Sequence, residues 1–126
     1  MMKGMRIWMV LFLFLVACGG NRRTQTGMAS WYGPGFRGKK TASGERFWPI
    51  KKTAAHKTLP FGTVVKVTRV DTGQSVRVVI NDRGPYAHGR IIDLSRRAAR
   101  KIDMVQSGTA KVRVKVVGCR KRYDGC

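Results

Sequence analysis

Apolar residues along this chain fall into short alternating runs rather than helical stripes, and the alternation begins at Met28. Met28–Tyr32 reads as a first strand. Gly62–Val70 and Ser75–Ile80 read as two more, joined by the hairpin connection Asp71-Thr72-Gly73-Gln74. In the latter strand Val76, Val78 and Ile80 share one face, and Ser75 and Arg77 the other. Arg90–Leu94 is another short strand. Lys111–Val117 closes the series, with Val112, Val114 and Val116 inward and Lys111, Arg113 and Lys115 outward. The exception is Arg96–Ile102, which reads as a helix capped by Ser95, with Leu94 placed to staple onto Ala99. Five or six strands and one short helix within about 90 residues imply an all-β domain, a small closed β-barrel. Gly33–Gly44, with four glycines and a proline, is a loop that backbone or ligand can approach closely.

Ahead of this domain the pattern is different. Lys3 and Arg6 precede an unbroken apolar run, Ile7–Val16, and Leu15-Val16-Ala17-Cys18 ends it in small residues. Ten apolar residues are too few to span a bilayer, so residues 1–17 are expected to be a signal peptide. The Leu-x-Ala-Cys ending resembles the lipobox of bacterial lipoproteins, which implies a lipidated Cys18 as the first mature residue. Gly19 in place of an acidic residue implies sorting to the outer membrane, facing the periplasm. The polar residues 18–27 are then the lipidated cysteine and a tether, 28–118 the barrel domain, and 119–126 a basic tail.

Charge changes the picture of partners. The chain has 26 basic and 6 acidic residues in 126. Removal of residues 1–17 leaves 24 basic against 6 acidic, or +18. Such a surplus speaks to association rather than to fold. An exported lipoprotein rarely meets nucleic acid, so no nucleic-acid partner is expected; anionic headgroups, lipopolysaccharide and cell-wall peptide carboxylates are nearer. After Cys18 the remaining cysteines are Cys119 and Cys126, in a compartment where disulfides persist. A bridge between them is expected, with free thiols or pairing between chains as alternatives.

Candidate chemistry centres on Asn81-Asp82-Arg83-Gly84-Pro85. Asp82 leaves a half-buried strand, where rigid backbone holds a carboxylate at the edge of a cleft. Arg83 offers a planar cation for a bidentate grip on an anion, and Gly84-Pro85 is a turn signal. Asp82 capping its own turn is the alternative. On the residues alone, Glu45 after Ser-Gly fits a solvated loop charge, and His56 before Lys-Thr-Leu-Pro a structural histidine. Trp31, Tyr32, Phe36, Phe47 and Trp48 crowd around the glycine loop, and aromatic faces suit stacking on sugar rings. The chain carries neither ligand spacing for a metal nor a phosphate loop, so no cofactor is expected.

Five blocks in order decide between these alternatives: Ala29-Ser30-Trp31-Tyr32-Gly33, Thr41-Ala42-Ser43-Gly44-Glu45, Thr53-Ala54-Ala55-His56-Lys57-Thr58-Leu59-Pro60-Phe61-Gly62-Thr63, Asn81-Asp82-Arg83-Gly84-Pro85 and Arg90-Ile91-Ile92-Asp93-Leu94-Ser95. Together they resemble the double-psi β-barrel domain of the rare lipoprotein A family of septal-ring lytic transglycosylases. The resemblance implies a six-stranded barrel with one or two short helices. It also implies cleavage of the MurNAc–GlcNAc bond of peptidoglycan glycan strands, with formation of a 1,6-anhydro ring, by a monomer. Its functional polar positions match Asp82, Glu45 and His56. Asp82 is the expected acid/base. Glu45 would raise the pKa of Asp82 or stabilise the oxocarbenium-like cation, and His56 would orient a carboxylate or bind substrate. Asp82 and Glu45 are expected to face one open groove with His56 nearby, and Trp31, Tyr32, Asn81 and Arg83 to bind the glycan. Two departures stand out. Trp48-Pro49-Ile50-Lys51-Lys52 replaces a family stretch with an aromatic, an Asp and small apolar residues, and longer members have a C-terminal repeat domain for stripped glycan at division sites. The chain ends at Cys126, so targeting by that route is not expected. The fold is shared with expansins, so a non-catalytic glycan-binding lipoprotein is the alternative function.

Overall fold

The structure, a computed structural model, describes residues 24–122. Six strands form it: β1 (Thr24–Trp31), β2 (Thr53–His56), β3 (Thr63–Arg69), β4 (Ser75–Asp82), β5 (Arg90–Leu94) and β6 (Ala110–Cys119), with one α-helix, α1 (Arg96–Lys101), between the last two and a single 3₁₀ turn at Pro34–Phe36. They close into a barrel in the order β1-β5-β2-β4-β3-β6. β1 runs parallel to β5 and β2 parallel to β4, while the other neighbours are antiparallel. Two parallel pairs held together by antiparallel neighbours give the double-psi barrel. Closure leaves no strand with an unpaired edge, which suits a small β domain exposed to other chains.

The alternation read from the sequence is the alternation of the barrel wall. Val76, Val78 and Ile80 on β4 and Val112 and Val114 on β6 are buried, and Lys111, Arg113 and Lys115 face solvent. Val65 pairs with Val78 and Val67 with Val76 across β3 and β4, packing branched side chains opposite one another. Ile80, Ile92, Leu94, Ile102 and Met104 are fully buried among them, each worth about 1.5–3 kcal/mol by removal from water.

β1 begins at Thr24, four residues before the apolar alternation does, because Thr24–Gly27 pair with Val112–Lys115 of β6. Residues 24–27, expected from their polarity to be tether, therefore belong to the barrel. β4 likewise extends past the apolar run to Asp82. β2 is absent from the sequence pattern altogether: Thr-Ala-Ala-His has little intrinsic strand preference, and it is made a strand by β4 and β5 on its two sides.

α1 is six residues long, too short for autonomous stability. Ala98 and Ala99, with Ile102 just past its end, are fully buried and hold it to the barrel. Ser95 caps it as expected, its Oγ accepting from Ala98 N at 3.3 Å. At the other end Arg69 Nη1 donates to the carbonyls of Ile102 and Asp103, satisfying groups that the helix leaves unpaired. The exposed face of α1 carries Arg96, Arg97, Arg100 and Lys101. Arg96/Arg100 and Arg97/Lys101 are like charges four residues apart, each pair costing about 0.2–0.5 kcal/mol.

Candidate active site

The site is built on the register around Ala55. Bulges shift the pairing between Ala54 and Ala55 on β2 and between Met28 and Ala29 on β1. As a result Ala55 stands beside Asp82 on the parallel strand β4 and opposite Asp93 on the antiparallel strand β5. Two carboxylates thus flank one small residue. Their strands lie roughly 10 Å apart, two strand spacings. Ala55 is only 2% exposed and packs in a buried cluster with Tyr32 and Phe47. Ser30 completes the row, paired with Asp93 across β1 and β5.

The two acids have different surroundings. Asp82 is held by donors: Tyr32 Oη donates to Oδ2 at 2.5 Å, and the backbone N–H groups of Ala42 and Arg83 both donate to Oδ1 at 2.8 Å. Asp93 receives one bond, from Ser30 Oγ to Oδ1 at 3.1 Å. Burial pushes its pKa above the ordinary carboxylate value, and the charge of Asp82 pushes the same way, against the smaller opposing pull of Ser30 and Arg90. Tyr32 is shifted strongly upward by its own burial, then by its bond to Asp82. It therefore stays a donor throughout the physiological range. Its ring is fixed by stacking on Phe47 at 4.3 Å and by an edge contact with Phe36 at 5.3 Å between centroids.

An open cleft of about 400 Å³ runs over these groups. Asp82 and Asp93 lie in its lining with Trp31, Tyr32 and Ala55, and Phe36 and Tyr86 stand exposed at its rim. One wall is the turn Arg83–Ala87. Gly84 has φ +122° there, a conformation that a side chain would strain.

Of the residues expected at the site, Asp82, Trp31 and Tyr32 meet in this cleft. Glu45 does not line it; its carboxylate reaches Arg122 Nη2 at 3.4 Å. Its loop nevertheless bears on the site, since Ala42 N binds Asp82 and Ser43 N binds the carbonyl of Asn81. Asn81 itself is buried. His56 follows Ala55 and lies in a separate hollow with Gln25 and Thr58. Its Nδ1 accepts from the backbone N–H groups of Thr58 and Leu59, so Nε2 carries the hydrogen and donates to Gln25 Oε1 at 3.0 Å. Burial, with Arg83 and Lys57 nearby, lowers its pKa and keeps it neutral. Arg83 is among the residues lining the cleft and its backbone N–H holds Asp82, while its guanidinium binds the carbonyls of His56 and Leu59 and stacks over Phe61 at 4.1 Å. In geometry, His56 and Arg83 build the turn that follows β2.

Asp93 is the residue that sequence reasoning passed over. Between Ile92 and Leu94 it looks like the solvent side of an alternating strand. Only the unrecognised strand β2 brings it level with Asp82. Cys119 is disulfide-bonded; Cys126 and Cys18 lie outside the described residues. Among the described residues no three His, Cys, Asp or Glu side chains come together in a group able to hold a metal, and no helix is long and apolar enough to cross a membrane.

A double-psi barrel with an acid pair in an open groove defines a class, and comparison with known sequences defines the family. The sequence profile of the family described as "Lytic transglycolase" matches residues 24–114, and the chain belongs to that family. Among curated relatives, the endolytic peptidoglycan transglycosylase RlpA of Campylobacter jejuni is 57% identical over 102 residues, covering 81% of this chain and 37% of that protein. The RlpA of Helicobacter pylori strain J99 is 62% identical over 92 residues, covering 73% of this chain and 29% of that protein. The chain thus spans about a third of the length of these relatives. Among solved structures, a Streptomyces papain inhibitor superposes with a TM-score of 0.62 at 23% identity, covering 77% of this chain and 96% of its own. An expansin of Clavibacter michiganensis superposes with 0.59 at 24%, covering 75% and 50%. An inhibitor and an expansin on one barrel show that the fold alone does not determine activity.

Proposed function

We propose that the protein is a peptidoglycan lytic transglycosylase that cleaves MurNAc–GlcNAc bonds and leaves a 1,6-anhydro-MurNAc end. The observation that carries this is the acid pair across Ala55, in which burial favours the protonated form of Asp93 while three donors converge on Asp82. The relatives' names point the same way. In this reading Asp93 gives its proton to the glycosidic oxygen as the C1–O bond breaks. The C6 hydroxyl of the same sugar attacks C1, and its proton passes to Asp82, so that no water is consumed. Tyr32 holds Asp82 in position through its hydroxyl. Trp31, Phe36 and Tyr86 offer rings for stacking on the sugars. Burial of Asp93, which favours its protonated form, marks it as the proton donor of the pair.

The signal anatomy of residues 1–17 supports export and lipidation of Cys18, with the barrel held at the periplasmic face of the outer membrane and working as a monomer. The test is mass spectrometry of purified sacculi incubated with the full chain in detergent. Anhydro-ended fragments are expected, and Asp82→Asn and Asp93→Asn should each lower their yield by about 10²–10⁴-fold, the usual scale of general acid–base catalysis. Binding of glycan without any anhydro product would turn the reading into that of a non-catalytic wall-binding module. Unchanged yield in either variant would remove that residue from the mechanism.

A further inference from the structure

Where β1, β6, β3 and β4 run side by side, the outward face of the barrel is a grid whose charges are all of one sign. Register sets Arg77 of β4 beside Lys66 of β3, Lys66 beside Lys115 of β6, and Lys115 beside Thr24 of β1. In the next outward row Thr68 stands beside Arg113, and Arg113 beside Thr26. Lys111 follows, opposite Met28. All five cations are exposed. Among the described residues none of them has an acidic partner within ion-pair distance; the ion pairs there join Arg69 to Asp71 and Arg122 to Glu45. Strands about 4.8 Å apart bring Arg77, Lys66 and Lys115 into a row roughly 10 Å long. Like charges directly opposite one another destabilise a sheet, so the row burdens the fold. A face that carries cations and hydroxyls but no carboxylate is complementary to an anionic surface, where each cation adds its own increment of attraction.

We infer that this face seats on the anionic phospholipid headgroups of the leaflet that holds the anchor. The inference rests on the proposed lipidation of Cys18 and extends it from a tether to an orientation. What singles out lipid among anions is where the chain enters. Thr24 is both the first residue of β1 and the end of the cation row, so residues 19–23 would join the anchor directly to that face. The cleft stays clear. None of its lining residues belongs to the grid, and Trp31, where β1 reaches the cleft, is seven strand steps from Thr24, roughly 23 Å. The hollow beside α1, lined by Arg37, Arg96, Arg97, Arg100 and Lys101, is equally basic. Through Arg37 and Arg96, however, it adjoins Trp31 and Tyr32, so a bilayer laid there would crowd the cleft.

The test reconstitutes the full chain, purified from bacterial membranes, into vesicles of phosphatidylcholine or of an equal mixture with phosphatidylglycerol. Brief acylation of amines, read by mass spectrometry, reports the access of each lysine. Relative to Lys39 of the glycine loop, labelling of Lys66, Lys111 and Lys115 should fall at least about fivefold in the anionic vesicles, the effect of one basic residue at such a surface. It should recover in about 1 M salt, where charges are screened within about 3 Å. Lys101 on α1 should label alike in both. Lys66→Gln/Arg77→Gln relieves the row, so it should melt no lower than wild type, and in it Lys111 and Lys115 should lose their protection. Lys66→Arg should keep it. Equal labelling in both vesicles, or protection that survives in the double variant, would overturn the inference. So would protection of Lys101 instead, which would seat the hollow beside α1 on the membrane, or protection by sacculi but not by phosphatidylglycerol, which would give the face to the wall. The mass of the N-terminal fragment tests the anchor on the same sample. An unmodified Cys18 would reject lipidation, while selective protection would still assign the face to anionic lipid.

Discussion

In the proposed mechanism Asp93 serves chemistry at the expense of the fold. Its pKa is raised on folding, so the folded state binds its proton more tightly than the unfolded chain does. The resulting stabilisation is complete at acid pH, below the ordinary carboxylate pKa, and is lost as pH rises through the raised value. Near pH 7 the side chain is therefore a burden on stability. Asp93→Asn removes the titration and keeps an oxygen to accept from Ser30. The variant should melt above wild type near pH 7 and lose that advantage near pH 3, while anhydro product falls. A thermal melt across pH checks this, and a variant less stable than wild type near pH 7 would mean that Asp93 is structural. His56 has the opposite sign: its lowered pKa supports the fold above pH ~6.5 and withdraws that support as pH falls below it.

At the scale of elements, the site depends on β2. Its residues lie in one of the blocks that resemble the family, yet their pattern does not announce a strand, because two alanines and a histidine give neither alternation nor branched side chains. The strands that carry their own hydrophobic pattern, β3 to β6, were legible. So was the cap of α1, which depends on the single local residue Ser95. What was not legible is contact across strands: Asp93 with Asp82, His56 with Gln25, Arg83 with Leu59. Each joins residues far apart in sequence, and no local period records such a meeting. Ala55 is where this matters for function. Ala55→Leu places a larger side chain between the two carboxylates, and such overpacking usually costs about 1–3 kcal/mol. Anhydro product should fall at least tenfold at a temperature where circular dichroism shows the barrel still folded. Full activity in a folded Ala55→Leu variant would mean that the acids do not act on one substrate across that position.

At the scale of the whole molecule, residues 24–122 form a closed barrel with basic outward faces, Lys111, Arg113 and Lys115 on one strand and the α1 cations on another side. A chain of this charge is drawn to any anionic network, and an anchor would decide which parts of the network it meets. Here the early start of β1 acquires a mechanical meaning. If lipid is carried at Cys18, only residues 19–23 separate it from Thr24, the first residue of β1. Six residue steps span at most roughly 20 Å. The barrel then works on a short leash: its cleft sweeps a thin shell next to the bilayer, and glycan deeper in the wall is out of range however well it fits the groove. Inserting ten Gly-Ser residues before Thr24 should widen that shell and raise the release of anhydro-ended fragments from cells, with no change on isolated sacculi. Unaltered release would place the wall already within the native radius. The depth at which the wall is cut would then be set by where the first strand begins.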